Sequence, residues 1–295
     1  MGPYRNMYDD VLVPVDDSEP ASAVLDHVAD LASWADATIH LLFVADTGRH
    51  SVTVVENDVV DGLVRKGHTV VEDVRERLQA PGVEFETDVV QGTPSSTIVE
   101  YADRYGHDLI VMSTHGRTGV TRYLRGSVSE AVVRHASVPV LTVRTQPDER
   151  LRFPYDDVLI PTDGSAGATR AARHGVALAE SLDATVHVLS ILEEEWLDRD
   201  GESTTEPGEG QGETATDAVE AVIAAAEPRG VTTTQYVDCG DPADVIRDRI
   251  DAVDADVVVM GTTGRRGTDR VLLGSVAERT VRDVPVPVLT LGETE

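Results

Sequence analysis

The stretch Val257-Val258-Val259-Met260-Gly261-Thr262-Thr263-Gly264, followed nine residues later by Gly274-Ser275-Val276-Ala277-Glu278, decides how this chain is read. A short apolar run enters a glycine-rich loop, and the loop ends on the helix-start pattern Ser275-x-x-Glu278. The same order occurs earlier. Leu109-Ile110-Val111-Met112 runs into Ser113-Thr114-His115-Gly116, and nine residues later Gly126-Ser127 opens a second Ser-x-x-Glu pattern ending at Glu130. A strand, an amide-lined turn and a helix N-terminus in that order form a cradle for phosphate groups. The chain carries it twice.

Working outward, the repeat extends over most of the sequence. Tyr8-Asp9-Asp10-Val11-Leu12-Val13-Pro14-Val15-Asp16 matches Tyr155-Asp156-Asp157-Val158-Leu159-Ile160-Pro161-Thr162-Asp163. Ala37-Thr38-Ile39-His40-Leu41-Leu42 matches Ala184-Thr185-Val186-His187-Val188-Leu189, and Gly92-Thr93-Pro94 matches Gly240-Asp241-Pro242. The polar segment 145–150 between the copies reads as a linker, with one domain over 1–146 and a second over 155–295. In each copy, β-branched runs alternate with stretches of helical spacing such as 21–35 and 168–182, and the third helix opens on a proline, Pro94 or Pro242. The expected fold is α/β: two tandem doubly wound domains, each a five-stranded parallel sheet flanked by four helices. The strands are expected to be apolar along their whole length. Residues 193–213, rich in acids and glycine, read as a solvated loop after the second strand of copy 2.

The net charge of −28 comes from 53 acids against 25 bases, with Lys66 the single lysine. In molar salt the Debye length falls to about 3 Å, which screens such self-repulsion, so a halophilic source is expected. A surface this negative argues against binding nucleic acid or an anionic membrane. No apolar run reaches the roughly 20 residues of a membrane span, and the expected location is the cytoplasm. The one cysteine, Cys239, reads as a structural thiol.

In a doubly wound sheet, ligands sit beyond the carboxyl ends of the strands where the winding reverses. Pro14-Val15-Asp16 and Pro161-Thr162-Asp163 end the first strand of each copy, and the glycine loops end the fourth. The glycines let backbone N–H groups approach an anion, and the following helix adds about half a positive charge at its start. Ser127 and Ser275 can either cap their helices or donate to a phosphate. Asp16 and Asp163 can accept from a ribose or base, face a divalent cation that bridges phosphates, or cap the following helix. Six arginines, Arg117, Arg122, Arg125, Arg265, Arg266 and Arg270, fall inside the two loops of an otherwise acidic chain, which favours anion attraction. His115 has no partner at catalytic spacing. No Walker loop, dinucleotide fingerprint, zinc cluster or nucleophile elbow is present.

Gly-x2-Gly-x9-Gly-Ser after the fourth strand, with Pro-x-Asp at the end of the first, resembles the universal stress proteins, over nearly the whole chain and twice, as in their tandem members. The resemblance implies a sheet order of 3-2-1-4-5 and, in one branch of the family, bound ATP with a divalent metal such as Mg²⁺ held through the phosphates. It implies that Pro161, Thr162 and Asp163 lie near adenine and ribose with Ile191 against the base, and that Gly261, Gly264, Gly274, Ser275 and Val276 hold ribose and phosphates. The matching residues of copy 1 are Pro14, Val15, Asp16, Val44, Gly116, Gly126, Ser127 and Val128. Ser113 departs from the pattern, placing a Cβ where glycine is expected to leave room for nucleotide. The resemblance also implies pairing through the last strand, 138–143 and 286–291, which in a tandem chain lets the two copies pair. The function expected is a nucleotide-binding stress-response protein without catalysis or with very slow ATP hydrolysis. A partner-binding scaffold with a vestigial site, and a slow ATPase or nucleotidyl transferase, are the other readings.

Overall fold

The computed structural model describes residues 7–17, 22–46, 56–78, 82–114, 128–192, 211–263 and 273–292. The chain divides into two compact units, Met1–Phe153 and Pro154–Glu295. Unit 1 runs β1 (Asp10–Val15), α1 (Ser22–Ala35), β2 (Thr38–Ala45), α2 (Glu56–Arg77), β3 (Phe85–Gln91), α3 (Pro94–Tyr105), β4 (Leu109–Ser113), α4 (Val128–His135) and β5 (Val140–Val143). Its strands are parallel in the order β3-β2-β1-β4-β5. Unit 2 repeats this as β6 (Asp157–Pro161), α5 (Ala166–Leu182), β7 (Thr185–Leu192), α6 (Gln211–Ala226), β8 (Thr233–Cys239), α7 (Pro242–Val253), β9 (Val257–Gly261), α8 (Ser275–Asp283) and β10 (Val288–Leu291). Its order is β8-β7-β6-β9-β10. Both are the expected doubly wound sheet, with the winding reversed between the first and fourth strands.

A duplicated device sets that reversal. One carboxylate oxygen of Asp108, just before β4, accepts from the backbone N–H of Asp9 at 2.9 Å and Asp10 at 3.1 Å. Asp256, just before β9, accepts from Asp156 at 2.8 Å and Asp157 at 3.1 Å. Each acid thereby satisfies two strand-end donors and pins the first strand beside the fourth. A second repeated pair ties the first strand to the second: His40 Nε2 lies 2.7 Å from Asp10 Oδ1, and His187 Nε2 lies 2.7 Å from Asp157 Oδ1. Tyr8 and Tyr155, each just before these first strands, are fully buried.

Strands β4, β6 and β9 bury nearly every residue, as helices on both faces require. Strands β3 and β8 do not. In both, buried positions give way to half-buried and exposed residues. Cys239, at the end of β8, is consequently exposed, so it is not the packed structural thiol the sequence suggested.

Three further expectations shift. Helix α5 begins two residues before the predicted start, since Ser165 supplies the cap. Helix α6 begins at Gln211, so the last three residues of the predicted loop 193–213 are helical; residues 193–210 lie outside the described ones. The segment 145–150 folds into unit 1: Glu149 N–H bonds to Gln146 O at 3.1 Å, and buried Arg144 holds Asp148 and Glu149 at 3.0 Å each. Among the described residues no helix is long and apolar enough to cross a membrane.

Candidate functional site

In unit 2 the paired strands β6 and β9 bring their carboxyl ends together. Past β6 the chain turns sharply through short-range bonds. Thr162 is buried, and its N–H continues the ladder to Leu189 O at 2.8 Å. Its hydroxyl accepts from Gly164 N–H at 3.2 Å, Asp163 Oδ1 accepts from Ser165 N–H at 2.9 Å, and Ser165 Oγ accepts from Ala168 N–H at 3.2 Å. Gly164 holds φ 74°, a conformation glycine adopts without the Cβ penalty. These turns make Ser165 the N-cap of α5 and use one oxygen of Asp163 to brace the bend. Of the roles open to Asp163, bracing the entry to a helix is present.

Past β9, Thr262 is buried and donates its N–H to Leu291 O at 3.0 Å. Its carbonyl accepts the N–H of Gly274 at 2.8 Å, so the two ends of the glycine loop are fastened to each other. Gly274 is the N-cap of α8, with φ −61° and ψ 140°, and contributes no side-chain cap. The first intrahelical bond runs from Glu278 N–H to Gly274 O at 2.9 Å. The amides of Ser275, Val276 and Ala277 therefore precede the helical ladder, with the positive end of the helix behind them. The Ser-x-x-Glu capping box read from the sequence does not form: Ser275 stands one place inside the helix, exposed, and Glu278 is one place too late.

The reason for Gly261 also differs from the expectation. A Cβ there would come within 2.8 Å of Gly167 C and 3.0 Å of Ala168 N, both backbone atoms at the start of α5. A Cβ on Gly167 would in turn lie 3.0 Å from Thr263 O. The two glycines let loop and helix touch backbone to backbone, so protein rather than ligand is the first thing a side chain at 261 meets. Ser113 holds the matching place in unit 1, where Pro20, matching Gly167, lies outside the described residues.

The structure thus places Pro161, Thr162, Asp163, Gly261, Gly274, Ser275 and Val276 at two adjoining strand ends. Ile191, half-buried near the end of β7, stands on the next strand over. In unit 1, Pro14 and Val15 lie within β1, paired with Leu42 and Phe43, and exposed Asp16 follows. Val44 pairs with Val90 of β3, and half-buried Val128 opens α4. Lys66 of α2 forms an ion pair with Asp17, beside Asp16. Gly264, Gly116, Gly126, Ser127, His115 and the six loop arginines lie outside the described residues. Among the described residues no group of three or more His, Cys, Asp or Glu is arranged to hold a metal ion.

A family model described as "Universal stress protein family" matches residues 7–144 and again 154–291. The chain belongs to the universal stress protein family. Universal stress protein MJ0531 of Methanocaldococcus jannaschii is 32% identical over 143 residues, 48% of this chain and 84% of that protein. Universal stress protein MJ0577 of the same organism is 30% identical over 155 residues, covering 47% of this chain and 96% of its own length. The crystal structure of a universal stress protein from Archaeoglobus fulgidus covers 99% of this chain and 98% of its own, at 23% identity and TM-score 0.74, and supports the fold. A universal stress protein has also been solved in complex with cAMP; it aligns with 47% of this chain at TM-score 0.37.

Two parts of this universal stress protein's site escape sequence reasoning. Gly167 is one; a glycine in the first turn of an alanine-rich helix is the signal, since glycine costs about 1 kcal/mol there unless something needs the space. Gly274 as the cap is the other, hidden because Ser-x-x-Glu fits equally well one position later.

Proposed function

We propose that unit 2 binds ATP, the triphosphate lying against the start of α8 and the nucleoside toward Pro161–Asp163 and Ile191. The observation that carries this reading is the glycine-capped α8, whose leading amides stand at the end of β9, the strand paired with the β6 that leads to Asp163. An uncapped helix start favours an anion, and no side chain of the cap competes for it. Gly264 belongs to the same proposal. A divalent cation would be held by the phosphates with Asp163 as the one carboxylate at hand, and would offset charge on the triphosphate. Pro14, Val15, Asp16, Val44, Gly116, Gly126, Ser127 and Val128 are proposed as the second site. The proposed role is binding, with ATP turnover absent or very slow. Titration with ATP and Mg²⁺ in molar KCl is expected to saturate, and Gly274→Val, which puts a branched side chain at the cap, to weaken binding about tenfold, or 1.4 kcal/mol. Unchanged affinity in that variant, in a sample that melts as the wild type does, contradicts the placement.

The halophilic, cytoplasmic setting belongs to the same proposal. With a net charge of −28, lowering KCl from molar to about 0.1 M lengthens the Debye length from about 3 to about 10 Å and restores repulsion among the carboxylates. The melting temperature followed by circular dichroism is expected to rise steadily with KCl. A melting temperature independent of salt removes the halophilic part.

A further inference from the structure

Away from the strand ends, unit 1 holds a cavity of about 320 Å³ lined by His40, Leu41, Glu86, Thr87, Asp88 and Tyr101. It lies between β2, the outer strand β3 and α3. The size is at the lower end of small-molecule sites and far beyond one ion. Its lining carries two carboxylates, a histidine and an aromatic ring, and neither arginine nor lysine. Tyr101 donates its hydroxyl to Asp88, while Glu86 Oε2 lies 3.3 Å from His40 Nδ1.

The second copy shows what this place accepts. Strand register sets Asp88 opposite Leu42 and Tyr236 opposite Leu189, and the two leucines match in the repeat. Tyr101 and Arg249 are each the eighth residue of the proline-led helix. At this place in unit 2 the Arg249 guanidinium lies over the Tyr236 ring, 3.9 Å from its centre, and its NH2 group donates to Asp238 at 2.5 Å. Tyr236 OH lies 3.4 Å from His187 Nδ1, the histidine that matches His40. An aromatic face and a carboxylate thus hold a guanidinium that the chain itself provides. Unit 1 has an aromatic ring, now on the helix, and a carboxylate on the strand as in unit 2, with Tyr101 standing in the arginine's place.

We infer that the unit 1 cavity binds a small alkylguanidinium from solution, its planar cation between Asp88 and Glu86 and its face on Tyr101. The fork of N–H donors matches a carboxylate and the flat face matches the ring, a combination an ammonium ion does not offer. The charge is complementary, and the histidine pair His40–Asp10 closes the inner wall.

n-Propylguanidinium is the probe, titrated calorimetrically into the full-length protein at constant KCl, with n-propylurea as the uncharged isostere and Mg²⁺ alone as the ion control. The expected result is one saturable site per chain with a Kd of about 1 mM or below, in line with one charge-assisted pair and one stacked ring. Propylurea and Mg²⁺ are expected not to occupy it. The exposed Glu86→Gln change is expected to weaken binding about tenfold, and the double variant D88Y/Y101R, which gives these two positions their unit 2 residues, to abolish it with the melting curve retained. Saturable binding that survives D88Y/Y101R, equal binding of propylurea, two sites per chain, or no saturation in folded wild type each overturn the inference.

Discussion

Lowering the pH from 7 to 5 in molar KCl is expected to remove about 2 kcal/mol of stability through His174, and a like amount through His27. The two residues match in the repeat, on α5 and α1, and burial pushes each imidazole down to about 4 from the ordinary 6.5. Phe153 meets the His27 ring edge-on at 6.0 Å. The sign follows from which state takes the proton. Above pH 6.5 both states are neutral and nothing is lost. Between 6.5 and about 4 the unfolded chain binds protons that the folded chain refuses, so stability falls as pH falls, by about 1.4 kcal/mol per unit and group. Below about 4 both states are protonated and the loss stops growing. His107 acts in the same direction, lowered first by burial and then by neighbouring His40. Neutralising carboxylates relieves self-repulsion over part of the same range, so the clean quantity is a difference between proteins. Urea unfolding of His174→Leu is expected to lose about 2 kcal/mol less than wild type between pH 7 and 5. Parallel losses in the two proteins contradict the assignment.

The second large effect is expected from one methyl group. Gly261→Ala places a Cβ 2.8 Å from the carbonyl carbon of Gly167 and 3.0 Å from its oxygen. No rotamer change relieves a clash between a Cβ and backbone, so either β9 or the first turn of α5 must shift. Overpacking of this kind costs about 1–3 kcal/mol, and the upper part of that range is expected here because both partners are main chain. The shift also moves the Asp163–Ser165 turn that leads into α5, so ATP affinity falls along with the melting temperature of unit 2. Gly167→Ala, which faces Thr263 O at 3.0 Å, is expected to do the same more weakly. If Gly261→Ala melts as the wild type does, the close approach of loop and helix is not what this glycine provides.

Much of this was legible along the chain. The repeat of Tyr-Asp-Asp with a first strand, of Gly-x-Pro before the third helix, and of Gly-Ser before the fourth fixes the order of elements, because each feature has a local cause: an apolar run, a proline at the first helical turn, a glycine at a helix start. What escaped depends on contacts between segments distant in sequence. The need for Gly261 is created by Gly167 on another element, and becomes visible only once β9 lies beside β6. The shared carboxylate of Asp256, and its twin Asp108, sits about a hundred residues from the strand it pins and reads locally as one acid among 53. The exposure of Cys239 depends on where β8 lies in its sheet, which its neighbours Asp238 and Gly240 do not state. The helical start at Gln211 was concealed by acids and glycine that resemble a loop.

The central claim concerns two particular amides. In a ¹⁵N-resolved titration of the full chain with ATP and Mg²⁺ in molar KCl, the account predicts saturable shifts of the Ser275 and Val276 amide signals, with Gly274→Val blunting them. Saturating nucleotide that leaves both signals where they were, or no saturable response in folded protein, would contradict it.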